Sequence, residues 1–182
     1  YTAEAGLRNL ERELGAVCRK IARKIAEGEK TTQVVSAGNL HKFIGIPKFI
    51  PELDQEESQI GLSTGLAWTQ SGGEAMYVEV SLFPGKGELI LTGQLGEVMQ
   101  ESALAALTYA KANLKAYGLK PAGLENTDIH IHVPAGSIPK DGPSAGVAIA
   151  TALLSALTSA PVNNDVAMTG EITLRGRVLP VG

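Results

Sequence analysis

The sequence has little cysteine, no pattern typical of a secretory signal and no apolar run that is long enough to span a membrane without interruption. Its single cysteine, Cys18, excludes an internal disulfide and is typical of a reducing cytoplasm. The first residues lack a basic segment followed by an apolar one, so nothing indicates secretion. No charge occurs between Asp141 and Asp165, but polar residues and Pro161 interrupt this stretch, whereas a membrane-spanning helix needs about 20 mostly apolar residues. We therefore predict a buried core helix here and expect no membrane partner.

The sequence also lacks a strong excess of charge of either sign. Its 182 residues carry a formal net charge of -3, whereas nucleic-acid binders show concentrated basic surfaces. The pairs Arg19-Lys20 and Arg23-Lys24 have helical spacing, which is typical of a solvated helix face. Hydrophobic residues make up 44% and charged residues 19%, a globular composition. The length suits one domain, or one domain with part of another, without a clear nucleic-acid site.

The first part of the chain predicts helices. Apolar residues spaced by three or four predict a helix over residues 3–27, with Thr2 as its N-cap and Gly28 at its end. A short strand at 33–35 and a second helix around 40–44, capped by Ser36, follow. The stripe on the first helix consists of Leu7, Leu10, Leu14, Val17, Ile21 and Ile25. A unit of this size cannot bury a core alone, so residues 1–48 are expected to complete a domain that began upstream.

Residues 49–59 contain proline and an acidic run, which predicts a linker. Beyond it the pattern changes to strands, with a hairpin turn at Ser71-Gly72-Gly73. Residues 60–182 therefore predict one mixed α/β domain. Its predicted strands are 60–69, 74–83, 88–92 and 128–133, followed by short strands after residue 165; its predicted helices are 96–117 and one that starts at Ser144. Trp68 is expected to contribute to packing.

The loop that ends in Gly142-Pro143-Ser144-Ala145-Gly146 carries the clearest chemistry. A constrained Gly/Pro loop leads into a helix whose first residue is predicted to be Ser144. Backbone N–H groups at a helix N-terminus favour negative charge, either a bound phosphate or a developing oxyanion. The simplest interpretation is that Ser144 only caps the helix, because serine is among the best caps.

Three chemical interpretations of this loop compete. A nucleophile elbow has the pattern G-x-S-x-G, but its histidine follows the serine, and no histidine follows Ser144. A phosphate cradle of a small-molecule phosphotransfer enzyme stays open, although no Walker pattern is present and Asp141 would oppose a phosphate. The third interpretation is a serine protease with a lysine base.

Long motifs in the right order support the third interpretation. The sequence Pro139-Lys140-Asp141-Gly142-Pro143-Ser144-Ala145-Gly146 resembles the signature around the catalytic serine of Lon family proteases. Five other segments, at 65–69, 93–99, 130–134, 168–176 and 178–182, also resemble this family, and Tyr1-Thr2-Ala3-Glu4-Ala5-Gly6-Leu7-Arg8 is similar to the end of its AAA+ ATPase module. The resemblance implies an α/β (α+β) proteolytic domain, incomplete at its C-terminus, after part of a small helical AAA+ subdomain.

By this resemblance Ser144 is the nucleophile of a Ser-Lys dyad. The lysine of the family lies in a Gly-Leu-Lys-type motif just past Pro180-Val181-Gly182, beyond the residues present, and no lysine follows Lys140. Lys140 itself is expected to be exposed in its turn. Thr169 matches a hydroxyl that orients the lysine, although an ordinary strand threonine is an equal alternative. Without the lysine, a non-catalytic Lon-like interaction module is a further alternative.

The resemblance also implies other roles. His130 and His132 alternate with apolar residues, so both face one side of a strand. They are expected first to be structural or to support the site, with Asp141 nearby, and only then to act as base or metal ligands. Arg8 matches an arginine that senses nucleotide, which implies ATP with Mg²⁺ in an upstream module rather than on this segment alone. Partners would be unfolded, damaged or regulatory proteins and sibling subunits of a cytoplasmic hexameric ring.

Overall fold

The computed structural model describes residues 1–29, 32–48, 57–69, 72–119, 121–134 and 140–181. These form two compact units. One contains Tyr1–Asp54 with Thr69–Gly72, and the other contains Gln55–Trp68 with Gly73–Gly182. Most of the predicted linker at 49–59, and Ser71 of the predicted hairpin turn, lie outside the described residues.

The first unit is dominated by helix α1, Arg8–Ala26. The helix begins five residues later than the sequence predicted, and Thr2 does not cap it. Instead, the carboxylate of Glu4 accepts hydrogen bonds from the backbone N–H groups of Asn9 (2.8 Å) and Leu10 (2.9 Å). These first-turn N–H groups have no partner inside the helix, so a carboxylate placed upstream can replace the usual cap. Gly28 follows the helix with a positive φ of 102°, as predicted.

The segment after α1 is a turn and not a strand. Asn39 organises it, because its side chain accepts the N–H of Ser36 (2.8 Å) and donates to the carbonyl of Val34 (2.8 Å). These side-chain bonds compete with strand pairing, so the strand predicted at 33–35 is wrong. Helix α2 is His41–Ile44, and it is preceded by Leu40, so the predicted cap at Ser36 is also wrong. Much of the α1 stripe stays exposed within this unit, as in Leu7 and Leu14.

The second unit contains a five-stranded mixed sheet. The strands are β1 Leu62–Thr69, β2 Gly72–Pro84, β3 Leu89–Thr92, β4 Thr127–His132, β5 Ala167–Met168, β6 Glu171–Ile172 and β7 Val178–Leu179. Strand β4 pairs antiparallel with β2 and parallel with β3, while β5 pairs parallel with β1. The strand order is β3-β4-β2-β1-β5, and β6 and β7 form a separate antiparallel ribbon. The predicted mixed α/β domain is confirmed, and the first four strands lie within two residues of their predicted bounds.

Two helices pack against each other in the second unit, α3 (Glu97–Ala112) and α4 (Gly146–Thr158). The predicted single helix over 96–117 is wrong at its end. The side-chain amide of Asn113 donates to the carbonyl of Tyr109 (2.9 Å), and a separate 3₁₀ turn, Leu114–Tyr117, follows. Short polar side chains that bond to the backbone in this way favour helix ends over helix interiors.

The core lies between the sheet and these helices. Alternate residues of β2 and β4, including Val78, Val80, Ile129 and Ile131, contribute their buried side chains to it. Small residues line the facing sides of α3 and α4, which lets the two backbones approach closely. These are Ala103, Ala106, Ala110, Ala148 and Ala152, each without exposed surface. The uncharged stretch is therefore a core helix, as predicted, and no helix in the described part of the chain is long and apolar enough to span a membrane.

Asp128, in β4, fixes the turn between β2 and β3. One oxygen of its carboxylate accepts the N–H groups of Lys86 (2.7 Å) and Glu88 (2.9 Å). Gly85 permits this approach, since a Cβ there would lie 2.0 Å from the Asp128 carboxyl carbon. The backbone bonds, led by that of Glu88, lower the pKa of the Asp128 carboxyl below its ordinary value of 3.8.

We expect Asp128→Asn to remove part of the acid sensitivity of this turn. Because the folded pKa lies below the unfolded one, the carboxylate stabilises the fold above the unfolded pKa, and this contribution is lost as the pH falls through the folded pKa. Urea midpoints at about pH 5 and about pH 3 would measure the effect. The variant should lose less stability over this range than the unchanged protein, whereas Asp165→Asn, in an exposed turn, should behave like the unchanged protein. Equal losses in all three would contradict the assignment.

Candidate active site

Ser144 lies in a single 3₁₀ turn, Pro143–Ala145, directly before helix α4. The sequence predicted a helix that starts at Ser144, but α4 begins at Gly146, and its N-cap position is held by Ala145, whose side chain cannot act as a cap. The interpretation of Ser144 as the cap of this helix is therefore wrong. Ser144 is half-buried and occupies the turn that brings the loop into the helix.

Lys140 ties this loop to the ends of two strands. Its ammonium donates to the carbonyl oxygens of Gly93 (3.1 Å) and Val133 (3.3 Å), which follow β3 and β4. Its backbone also pairs with the segment after β3, as its N–H donates to Gln94 (3.2 Å) and its carbonyl accepts from Gly96 (2.7 Å). The expectation that Lys140 is exposed is therefore wrong. The two carbonyls that accept from its ammonium follow separate strands, and they come together only in the folded sheet. The residue is half-buried and anchors the loop.

Asp141 caps helix α3 from a neighbouring loop. One oxygen of its carboxylate accepts the N–H groups of Met99 (3.0 Å) and Gly142 (2.9 Å). Gly96 stands at the N-cap of α3, and a Cβ there would lie 2.3 Å from the Asp141 carboxyl carbon. The carboxylate therefore takes the place of a capping side chain. These bonds direct the carboxylate to α3 and its own loop.

His130 and His132 lie on one face of β4, as their alternation predicted. Both bond to the hydroxyl of Thr92, through Nε2 of His130 (2.8 Å) and Nδ1 of His132 (2.7 Å). Thr92 is at the end of β3, and only the parallel β3-β4 register places it opposite His132. Nothing in the sequence singles out Thr92, because its contact with the histidines depends on the pairing of two separate strands. This network favours a structural role, and among the described residues no group of His, Cys, Asp or Glu could hold a metal.

The segment that enters β6 lies alongside Ser144. The N–H of Gly170 donates to the carbonyl of Ser144 (2.7 Å), and the carbonyl of Gly170 accepts the N–H of Val147 (3.0 Å). The hydroxyl of Thr169 also reaches the Ser144 carbonyl, at 3.4 Å. Thr169 and Ser144 are thus brought together although 25 residues separate them. Thr169 is exposed, so its hydroxyl is accessible to a further partner.

Ser144 and Thr169 open onto a hollow of about 470 Å³. Strand β5 pairs with β1 at Thr64 and Gly65, and the residues of β1 beyond these line the hollow. Trp68 is 83% exposed at this position, so the expectation that it contributes to packing is wrong. The lining consists of Leu66, Ala67, Trp68, Gly73, Pro143, Ser144, Thr169, Glu171, Pro180 and Val181. A mostly apolar hollow with a few polar groups is typical of a site that binds an organic ligand or a peptide.

Ser102 supports the Ser144 turn from inside the domain. It lies on α3, is 8% exposed, and donates from its hydroxyl to the carbonyl of Pro143 at 3.2 Å. Gly146 allows the close approach, because a Cβ there would lie 2.8 Å from the Ser102 oxygen and 2.9 Å from the backbone nitrogen of Ile172. Sequence reasoning did not identify Ser102, since a serine in a helix gives no signal of what it faces.

Arg8 is the first residue of helix α1 in the other unit, and its side chain is exposed. An exposed guanidinium near a helix N-terminus is accessible to a phosphate, which fits the expected contact with nucleotide. It is one cationic group and not a complete nucleotide site.

Two family models match consecutive parts of the chain. The C-terminal proteolytic domain of Lon protease (S16) matches residues 34–182, and the AAA+ ATPase lid domain of Lon protease matches residues 1–34. Each of three relatives aligns with the whole chain: the Lon protease of Desulfatibacillum aliphaticivorans at 66% identity, that of Heliobacterium modesticaldum at 59%, and Lon protease 2 of Thermus thermophilus at 58%. The chain spans only 22%, 22% and 23% of these relatives.

The mixed α/β domain, with the serine turn before α4, lies within the residues that match the C-terminal proteolytic domain of Lon protease (S16), and this match defines the class of the domain. The chain belongs to the Lon protease (S16) family. The resemblance predicted from the motifs around Ser144 is therefore confirmed for the whole chain.

Proposed function

We propose that Ser144 is the nucleophile of an ATP-dependent endopeptidase to which this chain contributes most of the proteolytic domain. The observation that carries the proposal is the hydrogen-bonded contact between the Ser144 turn and the Thr169-Gly170 segment at the edge of the apolar hollow. This contact holds the nucleophile beside the segment that leads toward the expected lysine.

In the proposed reaction the Ser144 oxygen attacks the scissile carbonyl carbon, and its proton passes to the neutral amine of a lysine. The tetrahedral intermediate expels the amine product, which takes the proton, and leaves an ester on Ser144. Water then hydrolyses this acyl-enzyme with the lysine again as base. A neutral lysine requires that its pKa fall from about 10.4 by about three units, a cost of roughly 4 kcal/mol that burial would supply.

The lysine is expected past Gly182, in a Gly-Leu-Lys-type motif. Pro180 and Val181 line the same hollow as Ser144, so a residue soon after them would be near enough to reach it. The exposed hydroxyl of Thr169 would then accept or donate a hydrogen bond that orients the amine. His130 and His132 would act only through the strands that they stabilise.

The hollow would hold the substrate as an extended peptide. Beyond Gly65, strand β1 continues past β5, so its backbone groups can pair with an added strand. The exposed ring of Trp68 and the side chain of Leu66 would cover apolar substrate side chains. Such main-chain recognition suits unfolded, damaged or regulatory proteins, because it reads an extended backbone and not a folded surface.

Nucleotide would act on the first unit. When bound in an upstream ATPase module, ATP with Mg²⁺ supplies the free energy for unfolding substrates, and Arg8 would contact its phosphates. We further propose that the intact protein assembles as a hexameric ring in the cytoplasm. A ring would enclose the hollow of each subunit and admit only unfolded chains.

Covalent capture tests the nucleophile. A serine-reactive fluorophosphonate should label Ser144, as located by mass spectrometry, and a peptide boronate should compete with it. Ser144→Ala should remove the label, whereas Ser81→Ala, an exposed serine of β2, should retain it. Competition by nucleotide alone would favour the phosphotransfer alternative, in which the loop from Gly142 to Gly146 binds phosphate, and would contradict the protease.

A further inference from the structure

We propose that the buried hydroxyl of Ser102 orients the backbone N–H of Ser144 as a donor to the oxyanion of the reaction. The inference rests on the proposed function of Ser144. It makes Ser102 a positioning residue, because it acts through the peptide unit between Pro143 and Ser144 and does not itself reach the hollow's lining.

In its surroundings the hydroxyl of Ser102 has one evident role, which is its hydrogen bond to the Pro143 carbonyl. The inward face of α3 is otherwise apolar, with Met99, Ala103, Ala106, Leu107 and Ala110 buried on it. Burying a hydroxyl in such surroundings costs free energy unless it is hydrogen-bonded. The bond to the Pro143 carbonyl, at 3.2 Å, removes that cost and joins α3 to the serine turn.

Because the peptide unit is rigid, this hydrogen bond also orients the N–H of Ser144. A trans peptide is planar, and its C=O and N–H point to opposite sides, so fixing the Pro143 carbonyl also fixes the direction of the Ser144 N–H. The same carbonyl accepts the N–H of Gly146, so two donors hold it. The following peptide unit is held in the same way, since the Ser144 carbonyl accepts from Gly170 at 2.7 Å.

The N–H so oriented is suited to an oxyanion. Ser144 lies in the 3₁₀ turn directly before α4, so its N–H precedes the bond from the Gly146 N–H to the Pro143 carbonyl and is close to the positive end of the α4 dipole. Donation from Ser102 to the carbonyl also polarises the peptide and strengthens the N–H as a donor. Oxyanion donors lower the barrier only when they are fixed before the charge develops. The Ser102 bond provides such fixation from the protein core.

The test compares Ser102→Ala with Ser63→Ala in the longer enzyme proposed above. Ser63 is a matched control, because it is 2% exposed and its hydroxyl donates to the Ala148 carbonyl (2.8 Å), inside α4. Each variant loses one buried hydroxyl-to-carbonyl bond. Removal of a whole oxyanion donor lowers kcat by about 10²–10³, so a misoriented donor should lower it by about tenfold. We expect this loss in Ser102→Ala with KM unchanged, and less than about a twofold change in Ser63→Ala.

A peptide boronate separates positioning from stability. Its tetrahedral adduct on Ser144 mimics the oxyanion, so Ser102→Ala should weaken its binding about tenfold while substrate KM stays constant. Equal boronate affinity and equal kcat in the two variants would overturn the role of Ser102 and leave Ser144 as nucleophile. Failure of fluorophosphonate to label Ser144 in the unchanged enzyme would overturn the proposed function itself, and this inference with it.

Discussion

The 182-residue chain is expected to cleave an unstructured peptide at least about a hundredfold more slowly than a form extended past Gly182 through the expected lysine. The reason is that a serine hydroxyl is a weak nucleophile until a base takes its proton. General-base catalysis contributes about 10²–10⁴ to such rates. The other groups of the site, including the helix start and the hollow, are present in both forms, so the comparison isolates the base.

The extended form with its lysine replaced by methionine is the control for this result. This variant should be as slow as the short chain. Cleavage of a fluorogenic peptide would measure the rates of the short chain, the extended form and the variant. Equal rates for the short and extended forms would instead place the base within residues 1–182, with His130, His132 or Lys140 as the next candidates. The bonds of Lys140 to Gly93 and Val133 make it the least suited of these, since its ammonium already anchors the loop.

Gly146→Val is expected to cause a large loss of stability. A Cβ at this position would lie 2.8 Å from the Ser102 oxygen and 2.9 Å from the Ile172 backbone nitrogen. Overpacking against backbone costs about 3 kcal/mol, at the upper end of its usual range, because β6 cannot move without breaking its contact with α4. For a chain of this size the thermal midpoint should fall by roughly 6–12 °C.

Gly73→Val is the matched control for this loss. Gly73 lies in β2, is exposed, and a Cβ there would meet no atom within 4 Å. Valine also favours strands, so this variant should be as stable as the unchanged protein or slightly more stable. Circular dichroism during heating would measure both variants. Equal midpoints for the two would show that α4 and β6 can separate without loss, which contradicts the close packing described above.

The sequence predicted the features that depend on local pattern. Alternating residues identified β2 and β4 correctly, and the uncharged stretch after Asp141 predicted the core helix α4. The motif around Ser144 identified the family before any geometry was known. In each case the information lies in neighbouring residues, because hydrophobic periodicity and turn-forming residues determine local structure directly.

Two of the errors arose where groups distant in the sequence decide the structure. Lys140 is half-buried because strand ends that are far apart in sequence present two carbonyls to it. Trp68 is exposed because β5 pairs with only the first part of β1. The length of that pairing cannot be predicted from the residues next to Trp68 in the sequence. The short strand expected before Asn39 failed for a local reason, since one amide side chain satisfies the backbone that a strand would have paired.

The contact between Ser144 and Gly170 has a consequence for how such a site can vary. Two main-chain bonds, Gly170 N–H to Ser144 O and Val147 N–H to Gly170 O, set the spacing between the two segments. Main-chain groups are the same in every residue except proline, so most substitutions leave these bonds intact. Side chains along the hollow can therefore change while Ser144 keeps its distance from the segment that leads toward the expected lysine. The backbone bonds fix the spacing of the two segments, and the side chains that line the hollow are free to determine which substrates fit.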